Sequence, residues 1–99
     1  MSAQSEETRE ERIEAQLKTL PAKPGVYLFR GARDEVMYVG KAKSLRSRVR
    51  SYFRAGDARI GLEQMIVRVE RIEIIVTSTE PEALHLEQNL IRRHRPLET

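Results

Sequence analysis

Ninety-nine residues make one small domain with a modest core, and no segment has the length and apolarity of a membrane span. The chain has no cysteine, which excludes a disulfide framework and thiolate metal ligation, and its two histidines are too few for a histidine-rich zinc site. The net charge of +3 is uneven: residues 1–20 hold five acids against three bases, and residues 21–99 ten acids against fifteen bases, so the larger part has the electrostatics of a polyanion binder.

Residues 5–18 are dense in Glu and Arg, with Ile13 and Leu17 four apart. They predict a short, peripheral helix, so residues 1–20 read as a charged N-terminal arm and 21–99 as the domain proper. Leu20-Pro21 and Pro24-Gly25 end that helix. Val26-Tyr27-Leu28-Phe29 and Val36-Met37-Tyr38-Val39 have strand character, and Gly31-Ala32-Arg33-Asp34 between them supplies a turn, which predicts an antiparallel hairpin closed by Gly40. Ser44 can cap a helix to about Phe53, with Leu45, Val49 and Phe53 as its core stripe and Arg46, Arg50 and Arg54 on another face. Within 41–59 seven bases face Asp57 alone, a run that suits a nucleic-acid backbone and equally suits a solvated helix face. Ala55-Gly56-Asp57 ends this helix, and a second is expected over 58–70 with Leu62, Met65, Ile66 and Val69 buried. The unbroken apolar middle of Ile72–Thr77 predicts a central strand. Thr79 and Glu82 form a capping box for the last helix, whose apolar positions are Ala83, Leu84, Leu86, Leu90 and Ile91, and Pro96 marks its end. The order α-β-β-α-α-β-α predicts an α+β domain, a small, mainly antiparallel three-stranded sheet flanked by helices.

Some residues fit structure alone poorly. Glu87 stands three and four positions from apolar residues on either side, so a carboxylate lies in the apolar stripe and needs a cation, either a core-edge arginine or a metal ion. Arg48 and Tyr52, i and i+4, flank the preceding stripe. Arg48 can grip a phosphate or pair with Glu87. Tyr27 and Tyr38 on the hairpin strands suit packing, but Gly40 and Lys41 follow Tyr38 at once. The glycine admits a close backbone approach and the ammonium favours a phenolate. His85 and His94 read as surface or helix-end residues.

Gly25-Val26-Tyr27, ten residues ahead of Tyr38-Val39-Gly40, resembles the paired motif of the GIY-YIG nuclease family. The continuation Lys41-Ala42-Lys43-Ser44-Leu45-Arg46-Ser47-Arg48-Val49-Arg50-Ser51-Tyr52-Phe53, with Glu82-Ala83-Leu84, Leu86-Glu87, Asn89-Leu90-Ile91 and His94-Arg95-Pro96, is similar to the branch found in the incision subunit of bacterial nucleotide excision repair. The resemblance implies a cytoplasmic, metal-dependent endonuclease that cuts damaged double-stranded DNA 3′ to a lesion, leaving a 5′-phosphate and a 3′-hydroxyl. It makes Glu87 the carboxylate for one Mg²⁺ or Mn²⁺ ion, Tyr38 the general base and Tyr27 the tyrosine that orients the attacking water. Arg48 becomes the contact to the scissile phosphate, and Lys41 and Tyr52 shape the same site. Gly40, Lys43, Arg46, Arg50 and Arg54 are the expected substrate-binding set. The other excision-repair subunits, UvrB and indirectly UvrA, are the implied partners, and the domain is expected to be a fragment of a longer protein. The family pattern continues Arg-Tyr-Asn after the closing Arg-Pro, where this chain reads Leu97-Glu98-Thr99. A non-catalytic DNA-binding module in which Glu87 pairs with Arg48, and a nuclease of this family outside repair, are the alternatives.

Overall fold

A computed structural model describes residues 7–54 and 62–96. Ala55-Gly56-Asp57, Arg59 and Leu97-Glu98-Thr99 lie outside the described residues. The elements follow the expected order: α1 (Arg9–Lys18), β1 (Gly25–Arg30), β2 (Val36–Ala42), α2 (Leu45–Phe53), α3 (Glu63–Ile66), β3 (Arg71–Val76) and α4 (Glu80–His94).

The sheet is antiparallel in the order β2-β1-β3. The central strand is therefore β1, not the predicted Ile72–Thr77 segment. From Gly25 to Phe29 every residue of β1 is buried, because both sheet faces are covered there. One face carries Tyr27, Phe29 and Tyr38 and packs against α1 and α2. The other carries Val26, Leu28 and Val39 and packs against Ala83, Leu86, Leu90 and Ile91 of α4. Strand β2 runs on past Gly40 to Ala42, and it forms one free edge of the sheet.

The other edge, β3, is covered by α1. The Gln16 side-chain amide donates to the Ile72 carbonyl at 3.1 Å and its oxygen accepts from the Ile72 amide at 3.0 Å, so one side chain replaces a missing strand partner. Arg9 donates to the carbonyls of Ile66 and Val69, and Arg12 to the carbonyl of Glu70 and to its carboxylate. Ile13 and Leu17 enter the core. The predicted peripheral arm is thus an integral layer, started by a full capping box between Thr8 and Glu11.

The helix expected over 58–70 is, in its described part, the single turn Glu63–Ile66. After it the amides of Arg68 and Val69 bond back three residues, and Glu70 N already donates to Arg30 O, so the chain tightens and turns into β3. Leu62, Met65, Ile66 and Val69 are buried as expected. On α4, Leu84 is 42% exposed and drops out of the apolar stripe, because the face toward the sheet runs through Ala83, Leu86, Leu90 and Ile91. The Thr79 cap is present, while Glu82 accepts from the amide of Ser78.

Candidate active site

Strand register sets the tyrosines. Tyr27 is paired with Gly40 and Phe29 with Tyr38, so two phenols and a phenyl ring stand together on the face toward α2. Tyr52 comes down from α2 and is buried, taking the place in the core stripe predicted for Phe53, which is half-buried. Phe53 still packs, its ring edge-on to Phe29 at 5.6 Å. The Tyr52 hydroxyl lies 2.9 Å from that of Tyr27 and 3.2 Å from that of Tyr38. Three phenols from three elements thus form one hydrogen-bonded chain with Tyr52 in the middle. Burial, the hydrogen bond to Tyr52 and the neighbouring phenols push the Tyr27 phenol far above the ordinary tyrosine value, and the nearby positive charge of Arg48 works the other way.

Gly40 has a different use from the one its sequence context suggested. A Cβ there would run into the hydroxyl and Cζ of Tyr27. The group that approaches this backbone is the Tyr27 ring, which crosses over β2 toward its free edge.

Arg48 is exposed on α2 and borders a groove of about 470 Å³ with Lys41, Lys43, Ser44 and Ser47, which Glu80 and Ala83 close from α4. Lys41 alternates with Gly40 and so lies on the α4 side of the sheet. The groove therefore joins the two sheet faces around the edge of β2. Glu87 follows Ala83 by one turn and Glu80 by two, on the same side of α4. It is on the opposite sheet face from the phenols, not on their own face. Its level along β2 is set by helix rise. Ala83 neighbours the Lys41 end of the strand, and His94 shares a second cavity with Val36 and Met37 at the other end. With rises of ~1.5 Å per helical and ~3.3 Å per strand residue, the midpoint of α4 falls at the level of Val39, the middle residue of β2. Glu87 is half-buried, and among the described residues no basic side chain is within 4.0 Å of it. The expected alternative of an Arg48–Glu87 pair is not formed.

Two other expected binders are engaged elsewhere. Arg46 donates to the Leu20 carbonyl at 2.8 Å and Arg50 to the Leu17 carbonyl at 3.0 Å, so both tie α2 to the end of α1. Arg54 borders a small cavity with Glu14 and Arg50 on that side, away from the groove. Lys43 does line the groove. Glu80, Ser44 and Ser47 line it too; the sequence marks Ser44 only as a helix cap, and neither Glu80 nor Ser47 stands out there from its neighbours. No cluster of three or more His, Asp or Glu that could hold a metal ion occurs among the described residues.

A three-stranded antiparallel sheet flanked by helices in the order α-β-β-α-α-β-α is the architecture of the GIY-YIG class of domain. The chain belongs to its UvrC-like branch: the UvrC-like GIY-YIG domain matches residues 23–97. It is 56% identical over 87 residues to UvrABC system protein C of Synechococcus sp. (strain JA-3-3Ab), and 55% identical over 83 residues to that of Geobacter metallireducens (strain ATCC 53774 / DSM 7210 / GS-15). These alignments take in 87% and 83% of the chain, and the chain spans 14% of the length of each of these relatives. The GIY-YIG N-terminal endonuclease domain of UvrC from Thermotoga maritima, bound to its catalytic divalent cation magnesium, superposes with a TM-score of 0.77 at 36% identity, covering 87% of this chain and 93% of that one. A point mutant of the same domain with asparagine changed to alanine superposes equally well.

Proposed function

We propose that this domain hydrolyses one phosphodiester bond of damaged double-stranded DNA in nucleotide excision repair, as part of a longer cytoplasmic protein working with UvrB and indirectly UvrA. The incision falls 3′ to the lesion. The observation that carries this reading is the edge of β2, where three linked phenols and Arg48 stand level with the half-buried Glu87, and neither Arg48 nor Glu87 has an ion-pair partner among the described residues. The donor set fits one Mg²⁺ or Mn²⁺ ion, with Glu87 holding it. When bound, such an ion supplies Lewis-acid polarisation of the phosphate and neutralises the leaving 3′ oxygen.

The protein groups divide the remaining work. Tyr27 stays a neutral phenol at working pH and is linked to Tyr38 through the Tyr52 hydroxyl. Tyr38 accepts the proton of the attacking water. Lys41 beside the groove adds positive charge, and Arg48 stabilises the non-bridging oxygens as charge builds on them. The products carry a 5′-phosphate and a 3′-hydroxyl.

The test is Glu87→Gln, assayed for Mn²⁺ binding and for Mg²⁺-dependent cleavage of lesion-bearing and plain duplexes. Loss of both with an unchanged circular dichroism spectrum is expected. Cleavage retained by the variant, or a parent that binds DNA in EDTA and cuts under no condition, favours the non-catalytic binding module.

A further inference from the structure

The groove that Arg48 borders continues past it along α2 to Ser47, Ser44 and Lys43. We propose that Lys43 and Ser47 form a subsite for the DNA backbone phosphate next to the one held by Arg48. The proposal rests on the DNA-cleaving reading above; it joins Ser47 to Lys43 at one phosphate, and both hold substrate without touching the reacting atoms.

The amides within the first turn of α2 are taken. Leu45 N donates to Lys23 O, Arg46 N to Pro21 O and Ser47 N to the Ser44 hydroxyl, and Arg48 N makes the first helical bond, to Ser44 O. An anion beside this turn must draw on side chains. Among the hydroxyls, Ser51 donates to the Arg48 carbonyl at 2.6 Å and has no proton left to give. Ser47 Oγ has no hydrogen-bond partner among the described residues, and it lies on the groove-facing side of the helix, one residue before Arg48. Lys43 is exposed, and among the described residues no acid is within 4.0 Å of its ammonium.

The charge around the groove is polarised. Lys41, Lys43 and Arg48 stand on the strand and α2 side, and Glu80 on the α4 side. A phosphate is drawn to the α2 wall and repelled from the α4 wall, which orients a strand along Arg48, Ser47 and Lys43. These donors meet backbone oxygens, so the subsite positions DNA without reading its sequence.

The experiment measures binding of the chain to two unrelated fluorescein-labelled duplexes by anisotropy, in EDTA, over a salt series. Ser47→Ala should weaken binding about tenfold with the salt slope unchanged, since a neutral hydroxyl releases no counterion. Lys43→Gln should lower the slope of log Kd against log salt by about 0.9. The double variant should lose less than the sum, because both groups grip one phosphate. Ser51→Ala, whose hydroxyl is spent on Arg48, should match the parent within about twofold. Ser47→Ala binding like the parent, strictly additive losses, or no binding by the parent overturns the subsite. Cleavage by the parent in Mg²⁺ is read in parallel. Non-additive binding losses without cleavage keep the subsite and reject the nuclease reading, and cleavage without those losses does the reverse.

Discussion

Gly40 is where a single hydrogen atom decides the site. Any Cβ at this position meets the Tyr27 phenol head-on, and the ring cannot withdraw because its flanks are packed against Phe29 and Tyr52 at centroid distances of 5.3 and 5.8 Å. Gly40→Ala is expected to displace the ring and break its hydrogen bond to Tyr52. Single-turnover cleavage should fall about a hundredfold, and urea unfolding should show a loss of ~1–3 kcal/mol from overpacking. Tyr52→Phe tests the phenol chain separately. It removes the hydroxyl that links Tyr27 to Tyr38, and single-turnover cleavage should fall about tenfold. Cleavage at the parent's rate argues against a part for the linked phenols in the reaction. At this scale the sequence was informative where chemistry and spacing conflicted. Glu87 stood out as an acid among apolar neighbours, and Arg48 and Tyr52 as a pair beside a stripe. The burial of Tyr52 was not legible, because its hydroxyl meets partners 25 and 14 residues away.

The elements themselves were legible in order and type, since periodicity and caps are local, whereas their neighbours were not. An apolar run such as Ile72–Val76 is consistent with a central strand. It also fits an edge strand whose backbone is covered by a helix, and the covering group here is one amide, Gln16, whose sequence neighbourhood looks like a solvated charged arm. The arginines of α2 show the same ambiguity: a basic row suggests a polyanion, yet Arg46 and Arg50 cap the carbonyls that end α1. Gln16→Ala should therefore act as a core-type mutation in a segment with a surface-type composition. It leaves both Ile72 backbone groups unpaired beneath α1, and a loss of ~1–3 kcal/mol is expected. Chemical denaturation of Gln16→Ala beside Glu14→Ala, an exposed position on the same helix, measures the difference. Equal stabilities would mean that the Gln16 amide adds nothing to the hold of α1 on β3.

Across the whole molecule, the phenol cluster that serves the site is also the middle of the core, so site and fold share one titration. The unfolded chain ionises Tyr27 near its ordinary pKa of 10.0, and the folded chain holds the same phenol neutral well beyond that. The folded-state pKa is raised, so the contribution of this group is fully present below pH 10 and is lost as pH rises above it, where the unfolded state gives up its proton and the folded state keeps it. The loss amounts to ~1.4 kcal/mol for each pH unit above that point. Urea midpoints of the parent should be level with respect to this group up to about pH 10 and then fall. Tyr27→Phe cannot ionise, so its curve lacks that contribution, and the parent-minus-variant difference isolates Tyr27 from the other tyrosines and the lysines. A difference that does not change between pH 10 and pH 11 would mean that the phenol is reached by solvent or hydroxide in the native state. In that case Tyr27 could ionise at the site, and its part as the neutral phenol of the linked chain would fail with it.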